Sequence, residues 1–393
     1  MRSTKKWLIL APHLKYPTVN GADIVIDGFC RELCHHIAEI HLITEDTYFV
    51  FKDGVEVVKQ TFSNISKGKY AASFFSVLKS TSYQVEKFIT ASYRNFATAI
   101  TRSNSFDVVF YSLISTGTLL NDLHLNKGVF NLIYTQNNDF KLNDDTFLSS
   151  NNFLKKQIAI ASNKWTRKFL EKQRSNIVLV NITKEDDDGY KKEIRDINSL
   201  VLPAGVDINN SRIGSLARST STTLSFLGSL SAQMNIDAVQ NFSSKFWPTL
   251  KNQINGEIII QIIGSNPSVS IQSLCNEHGW HLHQNVSDSM LEQLIQASTF
   301  TIMPFEYSNG SKLKLLKSLS LGVPVLSTVC SAYISLPKYC LTSDNPEEWA
   351  QHINSCKEDA TKESAREIIA NFAKHFSWKS VIANFRKDYP KFF

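Results

Sequence analysis

Short apolar runs, each about one strand long, alternate with helix-length amphipathic stretches from one end of this 393-residue chain to the other. That rhythm admits few folds. Parallel strands covered by helices on both faces read as runs of this kind, so the pattern predicts an α/β architecture. In the first half the strand candidates are Trp7–Ala11, Glu39–Thr44, Asp107–Ser112, Val129–Thr135 and Asn176–Asn181, with helical patterns over Ile24–His36 and Tyr83–Arg102. The second half repeats the theme at Thr223–Gly228, Glu257–Gly264, Thr299–Pro304 and Pro324–Thr328. No fixed-period repeat is present, which favours two doubly wound sheets over a solenoid.

The length suits two domains. Apolar periodicity fails and Gly, Ser, Asn and Thr accumulate over Leu202–Thr223. The expected division is therefore 1–203, 204–370 and a closing segment, 371–393. Within the last, Asn371–Tyr389 has helical spacing, with Phe376, Val381 and Phe385 suited to one face packed back on the first domain.

Composition removes several function classes. The apolar run at the start stops at Pro12, too short for a signal-peptide core, and no stretch reaches the roughly twenty apolar residues of a membrane span. Six cysteines are scattered without a Cys-x-x-Cys pair, which argues against a zinc module and a disulfide-stapled secreted fold and points to a reducing cytoplasm. A net charge of +6 is too small for whole-molecule nucleic-acid binding. No GxGxxG, GxxxxGK[ST] or GxSxG motif occurs, which weakens redox, ATPase and hydrolase readings. His35 with His36, and His281 with His283, lack carboxylates or cysteines at ligand spacing and read as surface or strand histidines. The acidic run Glu185–Asp188 reads as a helix start near Thr183.

Strand-to-helix loops of doubly wound sheets gather at one edge, where helix N-termini present free amides to anions. Three loops have the composition for this. In His13–Asp23, Asn20 and Gly21 precede a helix, where the glycine lets backbone approach a ligand, although from composition a plain strand-to-helix turn is the stronger reading. Gly228–Ala238 is a strand end in glycine followed by a hydroxyl-rich turn. In Phe305–Pro324, Asn309, Gly310 and Ser311 open a helix that carries Lys312 and Lys314, the best diphosphate cradle in the chain. Separately, Phe153–Arg174 sets seven basic residues against Glu171, interleaved with Phe153, Ile158, Trp165 and Phe169. Two readings stand for it: a helix lying on an anionic membrane surface, or an ordinary surface helix.

Several blocks in one order resemble the retaining glycosyltransferases of family 4, whose GT-B fold sets two Rossmann-like domains about a cleft. The blocks are Tyr16–Ile26, Ser82–Phe88, Phe106–Ser112, Thr135–Asp139 and Leu202–Asp207, then Leu224–Lys251, Ile262–Ser268, Val286–Phe305 and Asn309–Thr328. The resemblance implies a cytoplasmic or membrane-peripheral enzyme that moves a sugar, with retention, from a nucleotide sugar to a glycan or lipid-linked acceptor in surface polysaccharide or glycoconjugate synthesis. It implies no metal. Gly21, Gly228, Ser229, Asn309, Gly310, Ser311, Lys312 and Lys314 would hold the donor sugar and diphosphate. Val286 and Lys317 would lie by the nucleoside, and Asn20, Asp23 and Asn137 on the acceptor side. Many members carry two glutamates where this chain has Asn309 and Lys317. A lysine cannot accept ribose hydroxyls as a carboxylate does. A non-catalytic GT-B partner subunit and a sugar-nucleotide epimerase therefore stay open as alternatives.

Overall fold

The computed structural model describes residues 2–16, 18, 21–145, 152–208, 221–307 and 313–393. These divide into two compact units. One runs to Gly205 and includes Trp378–Phe393; the other lies between Val206 and Ser377.

The first unit is built on an eight-stranded sheet: β1 Ser3–Leu10, β2 Ile37–Ile43, β3 Thr47–Lys52, β4 Val55–Thr61, β5 Val108–Ser112, β6 Phe130–Thr135, β7 Val178–Asn181 and β8 Ser199–Val201. Its order is β4-β3-β2-β1-β5-β6-β7-β8, parallel from β2 to β8. The antiparallel pair β3 and β4 extends one edge, a hairpin outside the sequence reading. Its turn is Asp53-Gly54, both with positive φ (52° and 83°), as a two-residue hairpin turn requires. Strand β1 begins four residues before the expected run because its lysines are paired: Lys6 Nζ reaches Glu39 Oε1 on β2 at 2.6 Å.

The second unit carries a six-stranded parallel sheet: β9 Thr222–Ser229, β10 Ile258–Ser265, β11 His281–Gln284, β12 Phe300–Met303, β13 Val325–Ser327 and β14 Leu341–Thr342. The order is β11-β10-β9-β12-β13-β14. Strands β8, β11 and β14 are too short and too polar to stand out as apolar runs. Buried Arg366 donates to the carbonyls of Gln296 and Ser298 at 2.9 Å, capping the C-terminal end of the helix Asp288–Gln296.

Two expected helices are divided. Tyr83–Arg102 becomes Tyr83–Phe88 and Ala91–Ser103, because Ser82 and Thr90 each cap a separate start. The closing helix becomes Glu363–Ala373 and Trp378–Asp388, broken at Ser377. Phe376 packs against the core of the second unit, whereas Val381 and Phe385 are buried in the first, so the three do not share one helical face. Trp378 fills the space over Gly28 and Gly205; a Cβ on either glycine would fall within 2.4 Å of the indole. Thr183 caps Lys184–Glu193 by accepting from the Asp186 N–H, as its sequence implied.

Candidate functional site

In an open parallel sheet, ligands bind at the carboxyl ends of the strands where the order reverses, since loops on either side diverge there. In the second unit that point lies between β9 and β12. Strand β9 ends in Gly228 and exposed Ser229. The helix Leu313–Ser320, which follows β12, brings Lys314 to this end. Its ammonium lies 4.9 Å from the Phe226 ring and 4.7 Å from the Phe305 ring, and donates to Asn235 Oδ1 at 2.8 Å. Asn235 in turn donates to the Ser229 carbonyl at 2.8 Å. A Cβ on Gly228 would stand 2.8 Å from both Lys314 Nζ and Asn235 Nδ2, so the missing side chain is what lets the cation approach the strand end. The result is a half-buried positive charge held by Asn235 beside the glycine at a strand end, the electrostatics of an oxyanion or phosphate cradle.

The first unit repeats the geometry between β1 and β5. Past β1, His13 Nε2 lies 2.7 Å from Ser112 Oγ, at the end of β5, and His13 Nδ1 lies 3.3 Å from Asp23 Oδ1. All three side chains are buried. Leu113, next in the chain, has φ +83° and ψ 149°, a conformation that costs a leucine ~1–3 kcal/mol and that collects at functional sites. A cavity of about 370 Å³ opens here, lined by His13, Asp23, Leu113 and Asn137 together with Lys15, Glu45 and Lys87. Burial, then the charge of Lys15, lowers the Lys87 ammonium from its usual range. Behind Asn137, burial and the charge of Asp186 push the Asp139 carboxyl up to about 7.

Among the residues expected at a site, Gly228, Ser229 and Lys314 come together at the end of β9. Asp23 and Asn137 both line the first-unit cavity. Gly21 is the exposed first residue of the helix Gly21–Leu33. Val286 is half-buried in the loop between β11 and the helix Asp288–Gln296. Lys317 does not present a free ammonium: it is ion-paired with Glu292 at 2.6 Å. Asn20, Asn309, Gly310, Ser311 and Lys312 lie outside the described residues. Sequence reasoning singled out neither Asn235 nor the His13–Ser112 contact. The first shows only as an amide six residues past Ser229, and the second joins residues 99 apart. Among the described residues no three His, Cys, Asp or Glu side chains converge as metal ligands.

Two α/β units, each with a sheet whose strand order reverses once, have the GT-B fold of glycosyltransferase structures. Residues 221–359 match the family of glycosyl transferases group 1. Sucrose-phosphate synthase from Thermosynechococcus elongatus is similar over 98% of both chains, with TM-score 0.66 and 10% identity. Anabaena HepE, solved with UDP and glucose, gives TM-score 0.60 and 10% identity over 98% of this chain and 99% of that one. The lipopolysaccharide outer core galactosyltransferase WaaB in its apo form gives TM-score 0.56 and 15% identity, again over 98% and 99%. No curated protein matches the chain by sequence.

Proposed function

We propose that the protein is a glycosyltransferase that moves a sugar from a nucleotide sugar, a UDP-sugar in the first instance, to a glycan or lipid-linked acceptor. The observation that carries this reading is Lys314, held by Asn235 beside Gly228 at the reversal point of a parallel sheet, within the segment that matches group 1 glycosyl transferases. As the glycosidic bond breaks, charge develops on the departing diphosphate. A preorganised ammonium beside the Gly228–Ser229 end of β9 stabilises that charge without reorganisation. Lys314 thereby supplies the positive charge, and the transfer uses no resident metal. The first-unit cavity takes the acceptor, whose hydroxyls find partners in Asn137, Lys15 and Glu45 around the buried His13. Retention of configuration is what the family 4 resemblance implies; the likeness to HepE, solved with UDP, supports a UDP-sugar, and that to WaaB, a lipopolysaccharide outer core galactosyltransferase, supports a glycan acceptor.

The same reading sets the chain against the anionic cytoplasmic face of a membrane. Its support is the helix Lys69–Leu78, which buries Ala72, Ser73 and Ser76 and turns Tyr70, Phe74 and Leu78 outward, 88%, 62% and 66% exposed. Lysines flank that apolar row, and the basic helix Phe153–Gln173 exposes Phe153 and Leu154 at its start. Among the described residues no helix is long and apolar enough to cross a membrane. Equal sedimentation with neutral and anionic liposomes removes this part of the reading.

One observation favours a second reading, a non-catalytic partner subunit: Lys317, where many family members have a carboxylate, is already occupied by Glu292. Melting temperature measured against UDP, other nucleoside diphosphates and their sugar conjugates separates the two. A ligand that binds only the folded state raises its apparent stability. A shift with UDP, lost in Lys314→Ala, together with turnover that survives EDTA, is the expected outcome. Absence of both binding and turnover sinks the transferase reading and leaves the partner-subunit one.

A further inference from the structure

A second cavity of the first unit, about 440 Å³, shares no lining residue with the strand-end cavity. Three segments converge on it. The helix Phe153–Gln173 contributes Lys164, Trp165, Lys168, Phe169 and Lys172; the turn after Leu78 contributes Lys79, Ser80 and Thr81; the short helix Ile114–Asn121 contributes Thr118 and Asn121. Four lysines line it and no carboxylate does.

The lysines at 164, 168 and 172 stand one helical turn apart on one face, where like charges repel. Among the described residues none of the three has an ion-pair partner. Their neighbours differ: Arg167 on the same helix pairs with Glu193, and Lys79 pairs with Glu86 at 3.2 Å. Trp165 and Phe169 stack at 5.2 Å with their planes 9° apart, a rigid apolar wall beside the cations. Gly117 makes room for that wall, since a Cβ there would lie 2.7 Å from the Phe169 ring. Three lysines without an ion-pair partner, the Asn121 amide and a flat apolar wall around one cavity suit an anion carried on an organic body.

We propose that this cavity binds a phosphate ester, its phosphate held by the Lys164–Lys168–Lys172 row and its organic part against Trp165 and Phe169. The site is independent of sugar transfer. Its ligand is either the headgroup of an anionic phospholipid, to which the neighbouring Tyr70, Phe74 and Leu78 would give an apolar flank, or a soluble phosphate ester.

The test uses the full chain, with a Lys164→Gln/Lys168→Gln/Lys172→Gln variant and its all-arginine counterpart. The probes are glycerol 3-phosphate, read by calorimetry, and phosphatidylcholine vesicles with and without phosphatidylglycerol, read by sedimentation. Wild-type protein is expected to bind at least one probe, the arginine variant to keep that binding, and the glutamine variant to lose about tenfold or more, given the attraction of each lysine to an anionic surface. Saturable binding of glycerol 3-phosphate assigns a soluble ligand; binding confined to phosphatidylglycerol vesicles assigns a lipid. Phe74→Ser/Leu78→Ser lowers vesicle binding and leaves glycerol 3-phosphate binding unchanged, which separates the cavity from the apolar face. A glutamine variant that melts no lower than wild type confirms an intact fold. Wild-type protein that binds neither probe, or a glutamine variant that binds as wild type does, overturns the proposal.

Discussion

Lys317 donates to Glu292 Oε1 at 2.6 Å, joining the helix Leu313–Ser320 to the helix Asp288–Gln296. The lysine that stands where many family 4 glycosyltransferases have a carboxylate is thus compensated within its own unit by a carboxylate one helix away. Glu292 is the more buried partner, at 14% exposure.

Such a pair has a testable sign. Lys317→Glu sets two carboxylates together and is expected to destabilise the protein by about 1 kcal/mol or more, and Glu292→Lys does likewise with two ammonium groups. The exchanged double variant recovers most of the loss. Urea unfolding of the four proteins gives the coupling energy; single changes that add up in the double variant refute the pairing.

Gly228→Ala puts a methyl group 2.8 Å from Lys314 Nζ and Asn235 Nδ2, so both must shift. Both are ends of flexible side chains, so the expected change in melting temperature is small. Affinity for UDP is expected to fall roughly tenfold, the loss of one charge-assisted contact. Calorimetry decides: unchanged UDP affinity removes Lys314 from the cradle.

His13 is braced from two sides, by Ser112 and Asp23. Asp23→Ala removes one brace and frees the ring to turn, and is expected to lower turnover with the acceptor by about a hundredfold, as a misplaced group can. Binding of UDP, proposed for the second unit, is expected to stay unchanged. Steady-state kinetics beside UDP calorimetry shows the split; equal losses in both place the defect in folding.

Asp139 gives a pH signature. An unfolded aspartate titrates at about 3.9, whereas the folded carboxyl is pushed up to about 7, first by burial and then by the charge of Asp186. The folded state therefore holds a proton that the unfolded state has released. The stability linked to that proton is fully present below about pH 4 and is lost as pH rises through about 7. Asp139→Asn escapes this loss, so its melting temperature should gain on wild type between pH 4 and 8 and then level off. A constant difference across that range refutes the assignment.

Much of the second unit was legible. Thr223–Gly228, Glu257–Gly264 and Thr299–Pro304 are continuous apolar runs because β9, β10 and β12 lie at the centre of a parallel sheet. The hairpin β3 and β4 escaped a search for such runs, since β4 is exposed along its whole length and alternates little; its Asp-Gly turn was the available signal. Glycine and lysine content singled out Gly228 and Lys314. The contacts of His13 with Ser112 and Asp23 depend on which strand lies beside which, and that order follows from topology, not from any local spacing.

The indole that fills the hollow over Gly28 and Gly205 belongs to a segment that finishes the first unit from the far end of the chain. Trp7 donates to the Phe392 carbonyl at 3.1 Å, and Phe385 and Phe392 lie within the same core. At ribosomal rates of roughly 5–20 residues per second, the sheet of the first unit waits on the order of ten seconds or more after Gly205 emerges before Trp378 arrives to cover it. A fragment ending at Gly205 leaves Trp7 and Phe29 bare at that seam. The economical way to express the first unit alone is therefore to splice Trp378–Phe393 onto it, and nascent chains stalled before Trp378 are the ones a chaperone should hold.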